Sequence, residues 1–273
     1  MKTRILLVLG AALALLALTA AAPAAADPPM PDTSAWQALP PPPGGPVNAL
    51  AASPDFSADR PLLAGTGNGV YLSSDGGGTW IPLSVAIAPK RLILSPDYPT
   101  DATVFAVTDA TRDSYDVLYR SVDGGVNWLP VWYGGGVYDL ALSPGFAVDG
   151  TAFLAVSLFP GQVLRSSDFG VTWQALPDPM DLEPVLHLAV SPNFAADHTL
   201  FAAGFVPLNR STDGGASWQR LSAAGPNYSL AISPNYATDR TLWAVYREIE
   251  ASVTQPEAGG LRSTDGGATW SNV

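Results

Sequence analysis

Residues 263–270 read Ser-Thr-Asp-Gly-Gly-Ala-Thr-Trp, and the same eight-residue pattern, called the octet below, occurs four times earlier in the chain. The earlier copies cover residues 73–80, 121–128, 166–173 and 211–218. Asp followed by glycine between apolar runs is typical of a tight β-hairpin, because glycine supplies the positive φ that the turn requires. Five copies in one chain predict an internal repeat of a single supersecondary unit.

Three residues of each octet are assigned a structural role. The Asp carboxylate can accept hydrogen bonds from nearby backbone N–H groups and so hold the turn. The second Gly allows the turn to form, and the Trp gives the returning strand a large apolar surface. These structural residues are Asp75, Gly77, Trp80, Asp123, Gly125, Trp128, Asp168, Gly170, Trp173, Asp213, Gly215, Trp218, Asp265, Gly267 and Trp270.

The octet resembles the Asp-box, or bacterial neuraminidase (BNR) repeat, whose pattern is Ser/Thr-x-Asp-x-Gly-x-Thr/Ser-Trp. The repeat is known from sialidases, some glucan hydrolases, the sortilin ectodomain and photosystem II assembly factors. The resemblance implies a β-propeller in which the boxes are folding devices on the blade rim, remote from any active site. Asn127 departs from the pattern, which has Thr or Ser at this position, and this affects only the expected local turn.

A second motif alternates with the octets and consists of Ser-Pro, an aromatic residue, and an Asp three residues beyond it. It begins at residues 53, 95, 143, 191 and 233. Proline ends a strand because it cannot donate to the ladder, and the Asp can cap the turn that follows. In the third repeat we therefore predict strands A to D at 137–142, 152–156, 163–166 and 172–176.

Four antiparallel strands per repeat, with 45 to 52 residues between octet aspartates, predict an all-β protein. The expected fold is a β-propeller of five four-stranded blades, and a partial or a larger ring is the alternative. An incomplete ring would expose sheet edges, which favour self-association.

The N-terminal residues are not expected to belong to the propeller. Residues 1–26 are predicted to be a secretory signal peptide, because Lys2 and Arg4 precede an apolar run that ends in an Ala-rich cleavage site near Ala26. The mature chain is then secreted or extracytoplasmic, and an uncleaved membrane anchor is the alternative. Residues 27–46 are a Pro-rich segment with an outer closing strand at 35–39, and residues 47–273 form the propeller.

The formal net charge of -11 at pH 7 argues against nucleic acid and anionic membranes as partners. The chain has no cysteine, so no disulfide is possible. The two histidines, His187 and His198, lack a metal-ligand pattern, and no cofactor or metal is predicted. Calcium held by Asp109, Asp113 and Asp116 is an alternative, since carboxylates are hard ligands.

Function is expected on one face of the propeller. The repeated motifs occupy the A–B and C–D turns, here called the turn face, and variation in length falls on the opposite side, the loop face, which carries the B–C and D–A loops. The second and fifth B–C loops are the longest, and they combine aromatic residues with charged ones. A D–A loop adds Trp132 and Tyr133, beside three glycines at 134–136. The candidate ligand-binding residues are Asp109, Arg112, Asp113, Asp116, Trp132, Tyr133, Tyr246, Arg247, Glu248 and Glu250.

The arginine triad of a sialidase is not found, because most arginines recur at fixed repeat positions, as Arg120, Arg165 and Arg210 do before octet serines. We therefore predict a non-catalytic propeller that binds an unidentified protein or carbohydrate through the loop face. One alternative is a glycoside hydrolase of the Asp-box type that uses loop carboxylates. The other is an assembly factor for a membrane or extracytoplasmic complex.

Overall fold

The computed structural model describes residues 38–83, 87–109, 115–157, 161–177, 184–204, 208–221, 227–247 and 258–273. These residues form five four-stranded antiparallel sheets, one for each repeat, so the predicted five blades are confirmed. The predicted signal peptide and residues 35–37 lie outside the described ranges. Within those ranges, no helix combines the length and the apolar character needed to cross a membrane.

Each blade contains four strands, A to D, in sequence order. Blade 1 contains β1 (Val47–Ala52), β2 (Leu62–Thr66), β3 (Gly69–Ser73) and β4 (Ile81–Pro82). Blade 2 contains β5 (Pro89–Leu94), β6 (Val104–Asp109), β7 (Asp116–Ser121) and β8 (Leu129–Tyr133). Blade 3 contains β9 (Val137–Leu142), β10 (Ala152–Val156), β11 (Gln162–Ser166) and β12 (Gln174–Ala175). Blade 4 contains β13 (Val185–Val190), β14 (Leu200–Gly204), β15 (Asn209–Ser211) and β16 (Gln219–Arg220). Blade 5 contains β17 (Asn227–Ile232), β18 (Leu242–Arg247), β19 (Ala258–Ser263) and β20 (Ser271–Asn272).

The octets form the predicted C–D turns. In the last octet, the Ser263 hydroxyl donates to the Asp265 carboxylate over 2.8 Å and accepts from the Gly267 N–H over 2.8 Å. The same carboxylate accepts from the Thr269 backbone N–H over 2.9 Å. Asn127 replaces threonine without loss, because its side-chain amide donates to Asp123 over 2.7 Å. Each octet is thus a self-contained turn.

The Ser-Pro motif forms a single helical turn, which the sequence had not predicted. In blade 3, the Ser143 hydroxyl donates to Asp149 over 2.6 Å, and the Thr151 N–H donates to the same carboxylate over 2.7 Å. The Phe169 N–H of the octet donates to the Gly150 carbonyl over 3.0 Å, which joins the two motifs on the turn face. The five helical turns are α1 (Phe56–Asp59), α2 (Tyr98–Asp101), α3 (Phe146–Asp149), α4 (Phe194–Asp197) and α5 (Tyr236–Asp239).

Apolar cores lie between consecutive blades. Four such cores join blades 1 and 2, 2 and 3, 3 and 4, and 4 and 5. In the last three, a Phe of strand B meets the ring of the next blade's helical turn edge to face, at centroid distances of 5.9, 5.6 and 5.7 Å. Among the described residues, no core joins blade 5 to blade 1. Within the described residues, the four cores therefore join the blades in series from blade 1 to blade 5.

The octet carboxylates make stability depend on acid pH. Hydrogen bonds from the Thr269 hydroxyl and backbone N–H lower the pKa of Asp265 from 3.8 to about 2, and the other four octet aspartates are lowered to about 2 as well. Because the folded-state pKa is depressed, this stabilisation is present above about pH 4 and is lost as the pH falls toward about 2. We expect the thermal unfolding temperature, followed by circular dichroism, to fall across this window.

The control for this prediction is Asp265→Asn, which removes one titrating group. The variant should be less stable than the parent near neutral pH and should lose less stability between about pH 4 and about pH 2. A parent unfolding temperature that stays level down to about pH 2 would contradict a stabilising role for these carboxylates.

Candidate binding cleft

A cleft of about 530 Å³ opens on the loop face between blades 2 and 3. It forms where the B–C hairpin of blade 2 meets the loop that leads into blade 3. Strand ends from both blades therefore contribute to it. The lining residues are Lys90, Asp109, Tyr115, Asp116, Gly136, Val137, Tyr138 and Ser157.

Lys90 is the central charge of the cleft. Its ammonium lies 2.8 Å from Asp109 and 2.6 Å from Asp116, which close the ends of β6 and β7. Partial burial lowers the pKa of Lys90, but hydrogen bonds and charge attraction from the two carboxylates outweigh this and raise the pKa overall. The lysine therefore stays cationic, and the three groups together carry a net charge of -1.

Asp116 also fixes the loop that leads into blade 3. Its buried carboxylate accepts a hydrogen bond from the Val137 N–H at the start of β9. The Ser157 hydroxyl accepts a hydrogen bond from the Gly136 N–H over 2.6 Å. The loop is thereby held from blade 2 on one side and from strand B of blade 3 on the other, which gives the cleft a preformed floor.

Two tyrosines stand at the rim. The rings of Tyr115 and Tyr133 meet edge to face with centroids 6.0 Å apart, and both side chains are exposed. Trp132, the neighbour of Tyr133, packs instead against the core between blades 2 and 3. Alternating side chains of β8 thus serve two purposes, one in packing and one at the surface.

A polar chain continues from the cleft along the A strands. Arg91 donates to the Tyr138 carbonyl and to the Asp139 carboxylate, the latter over 2.9 Å. The second oxygen of Asp139 accepts from the Leu188 N–H of blade 4 over 2.9 Å. His187 lies 3.9 Å from that oxygen. These bonds tie blades 2, 3 and 4 together beside the cleft.

The structure brings some of the predicted site residues together and not others. Asp109, Asp116 and Tyr133 meet at the cleft. Arg112, Asp113, Glu248 and Glu250 lie outside the described residues. Tyr246 and Arg247 are described by their backbone alone, in strand β18, where they pair with Gly259 and Ala258. Blade 4 separates that strand from the cleft.

Lys90, Tyr138 and Ser157 were not predicted as site residues, because they lie at strand ends outside the long B–C loops. Lys90 could have been singled out from the composition, since it is the one lysine in the chain apart from Lys2. Among the described residues, no group of three His, Cys, Asp or Glu side chains could hold a metal ion. The proposed calcium ligand Asp113 lies outside those residues.

No family model and no curated protein matches this sequence. Solved structures do match. An ancestral GH74 enzyme aligns with a TM-score of 0.65 at 22% identity over 87% of this chain and 32% of its own. The GH74 xyloglucanase from Xanthomonas campestris aligns with a TM-score of 0.60 at 18% identity, over 83% of this chain and 38% of its own. The structure of YCF48 bound to D1 peptide aligns with a TM-score of 0.56 at 17% identity, over 83% and 67%.

The fold is that of a β-propeller. At these identities the similarity extends to the fold and not to activity. The chain spans about a third of the length of the two GH74 proteins. This propeller therefore corresponds to part of those longer chains, and its ligand has to be inferred from its own cleft.

Proposed function

We propose that this chain is a non-catalytic propeller that binds an extended polypeptide segment of a partner protein in the cleft between blades 2 and 3. The observation that carries the proposal is the pairing of two exposed rim tyrosines with an anchored lysine–carboxylate cluster. Tyrosine is enriched in protein interfaces because it combines a rigid apolar ring with a polar tip. The proposal includes the assignment of the octets as Asp-boxes that form the scaffold.

The charges of the cleft favour a basic side chain in the partner. Asp109 is largely exposed, and only one of its oxygens binds Lys90. The net charge of the three paired groups is negative, as is that of the whole chain. A lysine or arginine of the partner segment can therefore bind Asp109 while its neighbours pack on Tyr115 and Tyr133.

The same contacts argue against glycoside hydrolysis in this cleft. Hydrolysis by a carboxyl pair requires one carboxyl group to carry a proton that it can donate. Both carboxyl groups of the cleft, Asp109 and Asp116, instead bind the same Lys90 ammonium, and Asp116 also accepts a hydrogen bond from the Val137 N–H. The complex of YCF48 with D1 peptide supports the use of this fold as a peptide scaffold, whereas the GH74 enzymes support the hydrolase alternative.

The test is selection of peptides from a random display library on the purified chain, followed by affinity measurements with variants. Tyr133→Ser is expected to weaken the selected peptides by about tenfold, or ~1.4 kcal/mol, because it removes a rim ring. The matched control is Leu129→Ser, which alters an exposed residue at the opposite end of β8 and should leave affinity unchanged.

Lys90 supplies an independent readout of occupancy. At alkaline pH, where part of the Lys90 ammonium loses its proton, an amine-reactive reagent can modify Lys90, and mass spectrometry can locate the product, because Lys2 is the one other lysine. Bound peptide should slow this modification. Equal affinity of the Tyr133→Ser and Leu129→Ser variants, or release of sugar from a polysaccharide panel that depends on Asp109 or Asp116, would overturn the proposal.

A further inference from the structure

Blades 1 and 5 each expose apolar side chains on a face that is buried at the interfaces between the other blades. Every internal core is formed by the forward face of one blade, directed toward the next blade, and the backward face of that next blade. Among the described residues, no core covers the forward face of blade 5 or the strand-A side of the backward face of blade 1. On blade 1, Ala64 and Tyr71 of strands B and C are buried, and Gly44 lies against Tyr71. The forward face of blade 5 contains Ala231, Trp243, Val245 and Arg262, and the backward face of blade 1 contains Val47, Leu50, Phe56 and Leu62.

On the forward face of blade 5, large apolar side chains are accessible at positions that are buried in the other blades. Val245 is 38% exposed, whereas Val107 and Ala203 at the same position of strand B are fully buried. Trp243 stands where Phe105, Phe153 and Phe201 stand, yet it is half-buried and lies outside all four cores.

On the backward face of blade 1, apolar side chains are likewise more exposed than their counterparts in the other blades. Leu50 is 60% exposed, whereas Leu92, Leu140 and Leu188 at the same position of strand A are at most 9% exposed. The Phe56 ring in α1 is exposed, although its counterparts in the following blades are buried. A soluble chain rarely leaves such apolar surface uncovered.

The two faces match each other position by position. At the internal interfaces, the strand-B ring meets the ring of the next helical turn, as Phe153 meets Phe194. The equivalent pair here is Trp243 with Phe56. Val107 and Leu140, at the corresponding positions of blades 2 and 3, share a core, so the equivalent pair here is Val245 with Leu50.

A polar contact follows the same rule. Arg165 and Arg210 donate to the carbonyls of Gly214 and Gly266 in the next blade's octet, over 3.3 and 3.0 Å. Arg262, at the same position in blade 5, is exposed. Its equivalent acceptor is the Gly76 carbonyl of blade 1.

From these matches we infer that the occupant of each face is a second copy of this chain, docked head to tail so that blade 5 of one copy packs on blade 1 of the next. The contact continues the series of blade interfaces already present within the chain. It is heterologous, so the assembly either closes into a ring or extends. Leu39 already contacts Gly77, as Leu83 contacts Gly125 at the interface between blades 1 and 2, and Gly44 lies against Tyr71 of strand C. The rim of blade 1 is therefore covered, and strand A and the helical turn of blade 1 form the contact.

The test uses two variants of the full chain, each with one face blocked by a buried charge. Leu50→Glu blocks the backward face of blade 1, and Val245→Glu blocks the forward face of blade 5. Both residues are exposed within one copy, so the fold should survive, which circular dichroism checks. Val148→Glu, in α3 away from both faces and 88% exposed, is the matched control.

By light scattering after size exclusion, the parent chain and Val148→Glu are expected to form particles of two or more copies. Leu50→Glu and Val245→Glu are each expected to be monomeric. An equimolar mixture of the two should form a dimer and nothing larger, because each copy keeps one intact and complementary face. A monomeric parent, or a mixture that stays monomeric, would overturn the inference; so would a single variant that still dimerises, since a face would then pair with itself.

Discussion

Replacement of Phe153 by alanine is expected to destabilise the chain by about 3–5 kcal/mol, a large part of the stability of a typical domain. Phe153 is fully buried in β10, at the interface between blades 3 and 4. Its ring meets Phe194 edge to face with centroids 5.6 Å apart, and the Arg165 guanidinium lies 5.9 Å above it. The flanking strands are fixed by their ladders, so a cavity left by the ring would collapse only in part.

Urea unfolding followed by circular dichroism measures this loss. The control is Phe169→Ala, which removes a ring of the same size from the octet of blade 3. Phe169 is exposed and makes one edge contact, with Phe146 at 5.9 Å, so its loss should cost about 1 kcal/mol or less. Equal losses for the two variants would mean that the core between blades does not determine stability.

The strands could be predicted from the sequence because their limits are set by local signals. In blade 3, the expected strand at 137–142 is β9, and the octet marks the end of β11. The D strand of blade 3 is shorter than predicted, with Gln174–Ala175 in place of 172–176. Within the octet, the backbone N–H and the hydroxyl of Thr172 both donate to Asp168. Strand D therefore begins its pairing with strand C only after these residues.

The helical turns were missed for a different reason. A four-residue turn such as Phe146–Asp149 is too short to show a helical period in the sequence. Its defining bonds, from Ser143 and Thr151 to Asp149, are compatible with either a capped turn or a helix. The residue after it, Gly150, has φ of 61°, which ends the helix.

The cleft could be predicted only in part. Asp109 stood out because it lies beside a long B–C loop, and Tyr133 because it is an aromatic residue next to the glycines at 134–136 in a D–A loop. Lys90 lies in strand A of blade 2 and Ser157 directly follows strand B of blade 3, so they join the site only because blade 2 packs on blade 3. No spacing within one repeat contains that information.

Replacement of Lys90 by methionine is expected to cost about 3 kcal/mol, because it leaves the buried Asp116 carboxylate without its cation. We place the value at the low end for a buried pair since the lysine itself is only half-buried. The matched control is Asp109→Asn, which removes the exposed partner of the same lysine and should cost less than about 1 kcal/mol. Urea unfolding again measures both.

The double variant Lys90→Met with Asp116→Asn distinguishes two causes of the expected instability. One is the unpaired buried charge of Asp116, and the other is the loss of the ion pair itself. The amide oxygen that Asp116→Asn introduces can still accept from the Val137 N–H, and no buried charge remains, so most of the stability should return. A double variant as unstable as Lys90→Met would show that the ion pair itself holds the cleft.

The same double variant tests which part of the cleft recognises the peptide. The net charge of the cleft is -1 before and after the two changes, and the rim tyrosines are untouched. Peptide affinity should therefore stay within about threefold of the parent, which corresponds to less than ~0.7 kcal/mol, in contrast to Tyr133→Ser. Such a result would place recognition at the rim and the exposed Asp109, and would leave Lys90 and Asp116 to hold the floor of the cleft.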